Sequence, residues 1–247
     1  MIGSDALGSV LGAAPVGDPE RVTNIVRAMI RIGLSPILMK PGTKHPVCIL
    51  SEAAAKKADT QARADYVARF PDRPADRITH ECGLKHVLDD PAKVSVIVKR
   101  AQARYGADLN LGLHLGRSRL LVVVVDTEAE REAFARSWIE HWNTVPVPIT
   151  VESPGAQNEL GDWIHKGGGH WYFTVPEDFT FPAGKVFKGP GGWAAMWGES
   201  YVLVPPSVRP EGPYRLTGTP TPAPEWLKGQ IHSVPAQDPN SSSFSVT

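Results

Sequence analysis

Two acidic residues follow directly on a long apolar stretch. The sequence RLLVVVVDTEAE, residues 119–130, runs from leucine and valine into Asp126, Thr127 and Glu128. Because alternate side chains of an extended chain point to the same side, Asp126 and Glu128 are predicted to project together. Two adjacent carboxylates repel each other, and a divalent cation bound between them removes that repulsion. The alternative is a solvated helix start, where the helix dipole favours acidic side chains.

Three glycines precede His170 in the sequence KGGGHWYFTV, residues 166–175. Glycine lets backbone N–H groups come close to an anion, so Gly168 and Gly169 are candidate phosphate contacts. His170 would then donate a hydrogen bond to a phosphate oxygen. The alternative is an ordinary hairpin loop with a structural histidine.

Further phosphate contacts are predicted in loops. Lys40 and Lys44 flank a Pro-Gly turn, Arg117 lies in the turn GRS, and Ser207 follows two prolines at a strand end. Solvated loop residues are the default interpretation, and contacts to phosphate oxygens are the more specific one.

Histidine and cysteine cluster in THECGLKH, which carries His80, Cys82 and His86, with His45 and Cys48 upstream. The spacing His-x-Cys-x-x-x-His does not match a standard zinc pattern. We therefore expect no zinc site.

The composition limits the class of protein. The 247 residues carry 26 basic and 26 acidic side chains and only two cysteines. No global basic field exists, so any nucleic-acid contact needs a local patch, and a disulfide framework is not indicated. The N-terminus has no basic region and only a short apolar run, so we expect neither a signal peptide nor a membrane span, and a cytoplasmic location.

Helices and strands alternate irregularly, which predicts an α+β fold with a mainly antiparallel or mixed sheet and flanking helices. The two strands NLGLHLG and RLLVVVV are predicted to pair around a turn at Gly116-Arg117-Ser118. The predicted helices cover 18–33, 51–70, 90–106, 127–142 and 224–231, and the further strands SPILM, ITVES, HWYFTV and SYVLVPP. We expect a flexible N-terminus (1–17), one domain (18–232) and a disordered linker or tail (233–247).

The motifs together, in their order, resemble the bifunctional primase-polymerase (prim-pol) domain of the archaeo-eukaryotic primase superfamily. The matching pieces are KPGTKHP, the apolar strand ending in Asp126 and Glu128, the GGH run ending in His170, and VPPS ending in Ser207. No single piece is specific, whereas the ordered set, spanning about residues 22–230, is.

The resemblance implies a primase-polymerase that synthesises and extends primers by template-directed, metal-dependent nucleotidyl transfer. It implies that Asp126 and Glu128 hold two Mg²⁺ or Mn²⁺ ions and that His170 and the preceding glycines hold the triphosphate. Implied partners are a single-stranded DNA template, a primer, NTP or dNTP, and a fused or separate helicase. The implied origin is a phage or plasmid replication protein acting in the cytoplasm of a bacterial host.

One departure from the family pattern concerns a third acid, which the family carries on the strand before Pro-Pro-Ser. The corresponding position here is Ala194, and Glu199, Asp178 or Glu177 are the candidate substitutes. Two other functions stay open on this ground. One is a non-catalytic module that binds DNA or nucleotides in replication initiation, and the other is a metal-dependent nuclease.

Overall fold

The computed structural model describes residues 9–10, 20–75, 78 and 87–233. Five helices are named here: α1 (Arg21–Arg31), α2 (Glu52–Arg69), α3 (Val94–Tyr105), α4 (Glu128–Trp142) and α5 (Glu225–His232). The strands are β1 (Pro36–Met39), β2 (Asn110–His114), β3 (Leu120–Thr127), β4 (Val151–Glu152), β5 (Ala156–Gln157), β6 (Trp163–His165), β7 (Gly167–Thr174), β8 (Val186–Lys188), β9 (Ala194–Met196), β10 (Tyr201–Val204), β11 (Val208–Arg209), β12 (Gly212–Pro213), β13 (Arg215–Leu216) and β14 (Thr221–Pro222).

Two sheets form the frame of the molecule. The larger has seven strands in the order β13-β4-β7-β3-β9-β8, with β14 beside β7, and the smaller has the order β1-β2-β10. Every strand pairing is antiparallel except that of β14 with β7. The predicted α+β class with a largely antiparallel sheet is confirmed.

The two faces of the larger sheet belong to two separate hydrophobic cores. Val122 of β3 and Tyr172 of β7 face the core shared with the smaller sheet, α1 and α3. Leu121 and Val123 face the opposite core, which is rich in tryptophan and is covered by α4 and α5. Since Asp126 follows Val122 and Val124 at alternate positions, its side chain belongs to the first face.

Helix α4 begins where β3 ends, and local chemistry fixes that boundary. The hydroxyl of Thr127 accepts a hydrogen bond from the N–H of Glu130, which caps the helix start. Asn143 ends the helix in the left-handed conformation. The predicted helix from Thr127 through Trp142 is thus confirmed, and the site predicted at this junction is held by a rigid connection.

The predicted pairing of NLGLHLG with RLLVVVV is wrong. The two strands lie in different sheets, because β2 pairs with β1 and β10 while β3 pairs with β7 and β9. Arg119 has a positive φ of 55° at the end of the connecting turn. Both strands are buried and take neighbours on two sides, so each forms the middle of its own sheet.

Some predictions fall outside the described residues. These are the Asp18-Pro19 helix start, the cluster of His80, Cys82 and His86, and nearly all of the predicted N-terminus and tail. Within the described ranges, no helix is both long enough and apolar enough to cross a bilayer.

Candidate active site

Asp126 is the half-buried second-last residue of β3, and Glu128 is the exposed first residue of α4. The N–H of Asp126 donates to the carboxylate of Glu130 over 2.7 Å, while the N–H of Glu130 donates to Thr127. These reciprocal bonds resemble a capping box and fix the backbone between strand and helix. Glu130 therefore holds the backbone of Asp126 in place.

The glycine run is a strand and not a loop, so the prediction of a hairpin loop is wrong, and phosphate contacts by Gly168 and Gly169 stay predictions. Gly168 and Gly169 lie within β7, between β3 and β4. A methyl group on Gly168 would lie 2.4 Å from the carbonyl oxygen of Val125, and one on Gly169 would lie 2.4 Å from that of Val151. The glycines thus allow two neighbouring strands to approach closely, and the sheet ladder engages the backbone of Gly169 on both sides.

His170 lies on β7 directly across from Val124, on the same face of the sheet as Asp126. Its ring stacks against Tyr172 and packs near Tyr214, with both centroid distances 6.0 Å. Burial, together with the positive charge of Lys44, lowers the pKa of His170 to about 3. Its Nδ1 atom is buried and has no hydrogen-bond partner. His170 is therefore a neutral imidazole with an unused polar atom.

Lys44 lies in the loop after β1, and one buried asparagine holds that loop against the chain beyond β10. The amide nitrogen of Asn110 donates to the carbonyl oxygens of Thr43 and Val208, and its amide oxygen accepts from the N–H of Val208. The hydroxyl of Tyr201 donates to the carbonyl of Lys44 over 3.0 Å. Two distant loops are thereby clamped side by side.

The second of these loops carries the β11–β12 hairpin with Arg209 and Glu211. Arg209 Nε lies 3.5 Å from Glu211 Oε2, and the N–H of Gln157 donates to Glu211 Oε1. Burial opposes the charge of Glu211, but hydrogen bonds from its own N–H and from Gln157, with the charge of Arg209, keep its pKa low. Burial also raises the pKa of Tyr214 to about 12, so Tyr214 is a neutral donor.

Electrostatic coupling shows that these groups share one site. Burial lowers the pKa of Lys44 and Arg209 lowers it further, whereas Asp126 and Glu211 raise it. Asp126 also acts on the pKa of Tyr214, and Lys44 acts on that of His170. Asp126, His170 and Lys44, predicted from separate motifs, are thus brought together.

Unpartnered polar atoms concentrate at the same place. Within the described part of the chain, nine buried side-chain polar atoms have no hydrogen bond. Three of them lie at this site without any hydrogen-bond partner, namely Ser153 Oγ, His165 Nδ1 and His170 Nδ1, and two more, Arg209 Nε and Glu211 Oε2, make only their mutual ion pair over 3.5 Å. Buried polar groups are rarely left unpaired, so this concentration indicates the position of a polar ligand.

Arg117 and Glu199 do not reach this site, which corrects both predictions. Arg117 lies in the turn before β3 and faces Asp89, and Glu199 faces His114 at the end of β2. Asp126 lies six residues beyond Leu120, about 20 Å along the strand. Glu177 and Asp178 follow β7 at the same distant end, so neither supplies the third acid.

Two further residues that were predicted to bind the nucleotide make contacts within the protein. Ser207 is only 1% exposed. Its hydroxyl donates a hydrogen bond to the carbonyl of Leu111 and accepts one from the N–H of Leu111. Lys40 is exposed, with its ammonium group 5.8 Å from the ring centroid of Tyr105. Nucleotide contacts by these two residues stay predictions, and Ser207 in addition ties β10 to β2.

The donor set fits a metal ion only in part. Ala194 on β9 is the cross-strand neighbour of Val124, so the position of the third acid carries a methyl group. Among the described residues, no three His, Cys, Asp or Glu side chains converge as a metal site. Magnesium in nucleotide enzymes is typically held by one or two carboxylates plus substrate phosphates. An ion held by Asp126 and Glu128 together with a triphosphate therefore stays a prediction.

Sequence reasoning missed Asn110, His165 and Glu211. The alternation of Arg209 and Glu211 around a proline, before Gly212, is a hairpin signal that could have revealed that pair. Nothing local marks Asn110 or His165, because their importance comes from residues far away in the chain.

Comparison with known families agrees with this geometry. The family model described as "Bifunctional DNA primase/polymerase, N-terminal" matches residues 26–226, well over half of the chain. A search of curated proteins gave no match. The matched span contains every residue of the site described above. The chain therefore belongs to the bifunctional DNA primase/polymerase family and is a nucleotidyltransferase with DNA primase and polymerase activity.

Proposed function

We propose that the site around Asp126, Lys44 and His170 performs the nucleotidyl transfer, joining an incoming nucleotide to a primer or to an initiating nucleotide on single-stranded DNA. The observation that carries this proposal is the coupling of two carboxylates, two cations and a buried imidazole at one end of the larger sheet. The unpartnered polar atoms there match the needs of a polar ligand.

The reaction is an in-line displacement at the α-phosphorus, with pyrophosphate as the leaving group. Negative charge grows on the phosphate oxygens as the bond to pyrophosphate breaks, so fixed positive charge nearby stabilises the transition state. Lys44 and Arg209 supply such charge from two clamped loops. Because the loops that carry them are already clamped together, little reorganisation of the backbone is needed when substrate binds.

His170 contributes a neutral donor to the same site. An imidazole that stays uncharged has one N–H to donate, and the unpartnered Nδ1 of His170 is an available position. A bound triphosphate, being negative, would raise the pKa of His170 and strengthen that hydrogen bond.

Asp126 and Glu128 would hold Mg²⁺ or Mn²⁺ against the triphosphate. When bound, such ions supply charge stabilisation to the attacking and departing oxygens. The hydrogen bond from the N–H of Asp126 to Glu130 keeps the Asp126 backbone fixed at the strand end.

The test is Asp126→Asn, with Glu132→Gln as a matched control on the exposed face of α4. We expect Asp126→Asn to reduce Mn²⁺-dependent incorporation on a primed template by more than about 100-fold, because a metal ligand is lost. Glu132→Gln is expected to keep full activity, and circular dichroism should show both variants folded. Wild-type incorporation by Asp126→Asn would overturn the site assignment. Template degradation without nucleotide would instead favour a nuclease.

Single-stranded template is the substrate that a helicase produces. We therefore propose a helicase, either fused to this chain or separate, as its working partner in the cytoplasm of a bacterial host. Co-replication assays with and without a helicase would test that pairing.

A further inference from the structure

A small hairpin extends from the site between two central strands. It consists of β5 and β6, joined by residues 158–162, and it connects β4 to β7. The β3–β7 pairing places its β6 end beside Thr127 of β3, and the β4–β7 pairing places its β5 end one strand farther away, on the other side of β7. The base of this hairpin is therefore next to the end of the strand that carries Asp126.

Contacts fix the hairpin to the site. The N–H of Gln157 donates to Glu211, and the charge of His165 acts on the same carboxylate. Gly155 packs so tightly that a methyl group there would lie 2.6 Å from the carbonyl oxygen of His165 and 3.0 Å from the Trp163 ring. The orientation of the hairpin is thus set by the groups that form the site.

The hairpin also carries an exposed apolar surface. Trp163 is 44% exposed, Ile164 66% and Leu160 87%. The other six tryptophans belong to the core between the larger sheet and helices α4 and α5, or stack on its edge at Trp142. Trp163 is therefore the tryptophan that stands apart from that core and next to the site.

The pairing of β5 with β6 is irregular, since Ala156 lies across from His165 while the next residue, Gln157, lies across from Trp163. Trp163 therefore points away from the side that carries His165. Its ring lies beside Gly155, where a methyl group would come within 3.0 Å of it. The ammonium group of Lys166 lies 5.0 Å from the centroid of that ring. An aromatic face and a cation are thus presented together at the base of the hairpin.

We infer that this hairpin is a stacking platform for the single-stranded DNA template, with a base on Trp163 and a phosphate at Lys166. The inference rests on the proposed function, because a template must pass beside the reacting nucleotide. Every base has a flat π-face, so a tryptophan with a neighbouring cation suits a strand of any sequence. The acidic residues Glu159 and Asp162 lie toward the tip, which disfavours phosphates there and directs the strand along the Lys166 side.

The experiment compares variants of the full chain by fluorescence anisotropy with a labelled oligothymidine and no nucleotide. We expect Trp163→Ala to weaken binding by about tenfold, the effect of losing one stacked base. Trp163→Phe is expected to keep most of the affinity. Trp142→Ala, which removes a tryptophan of nearly equal exposure (47%) on another face, is expected to change nothing.

Two further measurements separate the possible outcomes. Trp163→Leu keeps apolar bulk beside Gly155 and removes the flat ring, so it tests stacking if Trp163→Ala disturbs the hairpin. Lys166→Gln is expected to reduce the slope of log affinity against log salt by about one. Calorimetric titration with Mn²⁺ and a nucleotide, in the absence of DNA, should give the same affinity for wild type and Trp163→Ala.

Wild-type DNA affinity in both Trp163→Ala and Trp163→Leu would overturn the inference. A loss of nucleotide affinity alone would do so too, since it would assign the ring to the incoming base. Neither result depends on catalysis, so failure of the platform is distinguishable from failure of the Asp126 assignment, which the incorporation assay measures separately.

Discussion

At the scale of single residues, His170 is a titratable group that burial removes from water. It is 7% exposed and packed between two tyrosine rings, and its pKa falls from 6.5 to about 3. Burial without a counter-charge costs stability whenever the imidazole must take up a proton. Functional sites often store such a cost, because the same burial keeps the imidazole neutral for ligand binding.

We predict that His170 makes the protein less stable in mild acid. The unfolded chain binds a proton at His170 near pH 6.5, whereas the native state does not until about pH 3. Stability therefore falls as the pH is lowered through this window, by about 2 kcal/mol between pH 7 and pH 5. Urea denaturation at both pH values would measure the loss. In His170→Gln this loss of stability should disappear, whereas His45→Gln, which changes an exposed histidine, should lose as much stability as wild type. An equal loss between pH 7 and pH 5 in all three proteins would contradict the assignment.

Ala194 is the second informative residue, because it stands where the family pattern carries an acid. It lies across from Val124, and the side chain of Asp126 is its diagonal neighbour on the same face. Such diagonal positions are about 7–8 Å apart, close enough for two carboxylates to share bound cations.

We predict that Ala194→Asp strengthens Mn²⁺ binding by about tenfold, because a third negative ligand joins Asp126 and Glu128. Calorimetric titration with Mn²⁺ would measure the affinity, and the melting temperature should rise more on adding Mn²⁺ than in wild type. Ala194→Asn, which has the same shape without the charge, is the control. Unchanged affinity in Ala194→Asp would show that position 194 does not face the ions.

At the scale of elements, the clamp formed by Asn110 joins the loop after β1 to the loop after β10. Three hydrogen bonds from one buried amide do this, and Asn110 is only 3% exposed. Lys44 and Arg209 stand on those two loops, so the distance between the two cations depends on a side chain that need not touch the substrate.

We predict that Asn110→Ala destabilises the protein by about 3 kcal/mol, through the loss of three hydrogen bonds and the exposure of unpaired backbone groups. The KM for nucleotide should rise several-fold, because Lys44 and Arg209 lose their fixed spacing. Denaturation and steady-state kinetics would measure both effects. Asn158→Ala, which removes comparable bonds in an exposed turn, should leave KM unchanged; an unchanged KM in Asn110→Ala as well would exclude the clamp's role.

Element prediction from sequence succeeded where local chemistry decides and failed where pairing decides. Thr127, as a capping residue, marked the start of α4 correctly. The run Gly167–Gly169 suggested a loop, yet the absence of Cβ atoms serves the close approach of β3 and β4 to β7. Whether glycine marks a turn or a crowded strand depends on neighbours that no local pattern reveals.

At the scale of the whole molecule, the larger sheet separates two tasks. One face carries the tryptophan-rich core, and the other carries the site at the end of the strands. The sequence predicted the apolar strand, the carboxylates and the imidazole, because their types and order are local features. It did not predict that Arg117 and Glu199 lie at the far end of β3. Their position follows from the turn between β2 and β3, which joins the smaller sheet to the larger one.

The overall charge balance of 26 basic and 26 acidic groups is consistent with this arrangement. With no net field, attraction of DNA depends on locally placed cations such as Lys44, Arg209 and Lys166. Substitutions elsewhere on the surface should therefore affect DNA binding little, unlike those at the platform or the clamp.

The bond between the Tyr201 hydroxyl and the Lys44 carbonyl joins residues 157 positions apart. During translation, a ribosome adds about 5–20 residues each second, so this closure waits many seconds after Lys44 has emerged. A truncated chain, or one still attached to the ribosome, would expose unpaired strand edges before it could copy DNA. The site is consequently incomplete until Tyr201 has left the ribosome, 157 residues after Lys44.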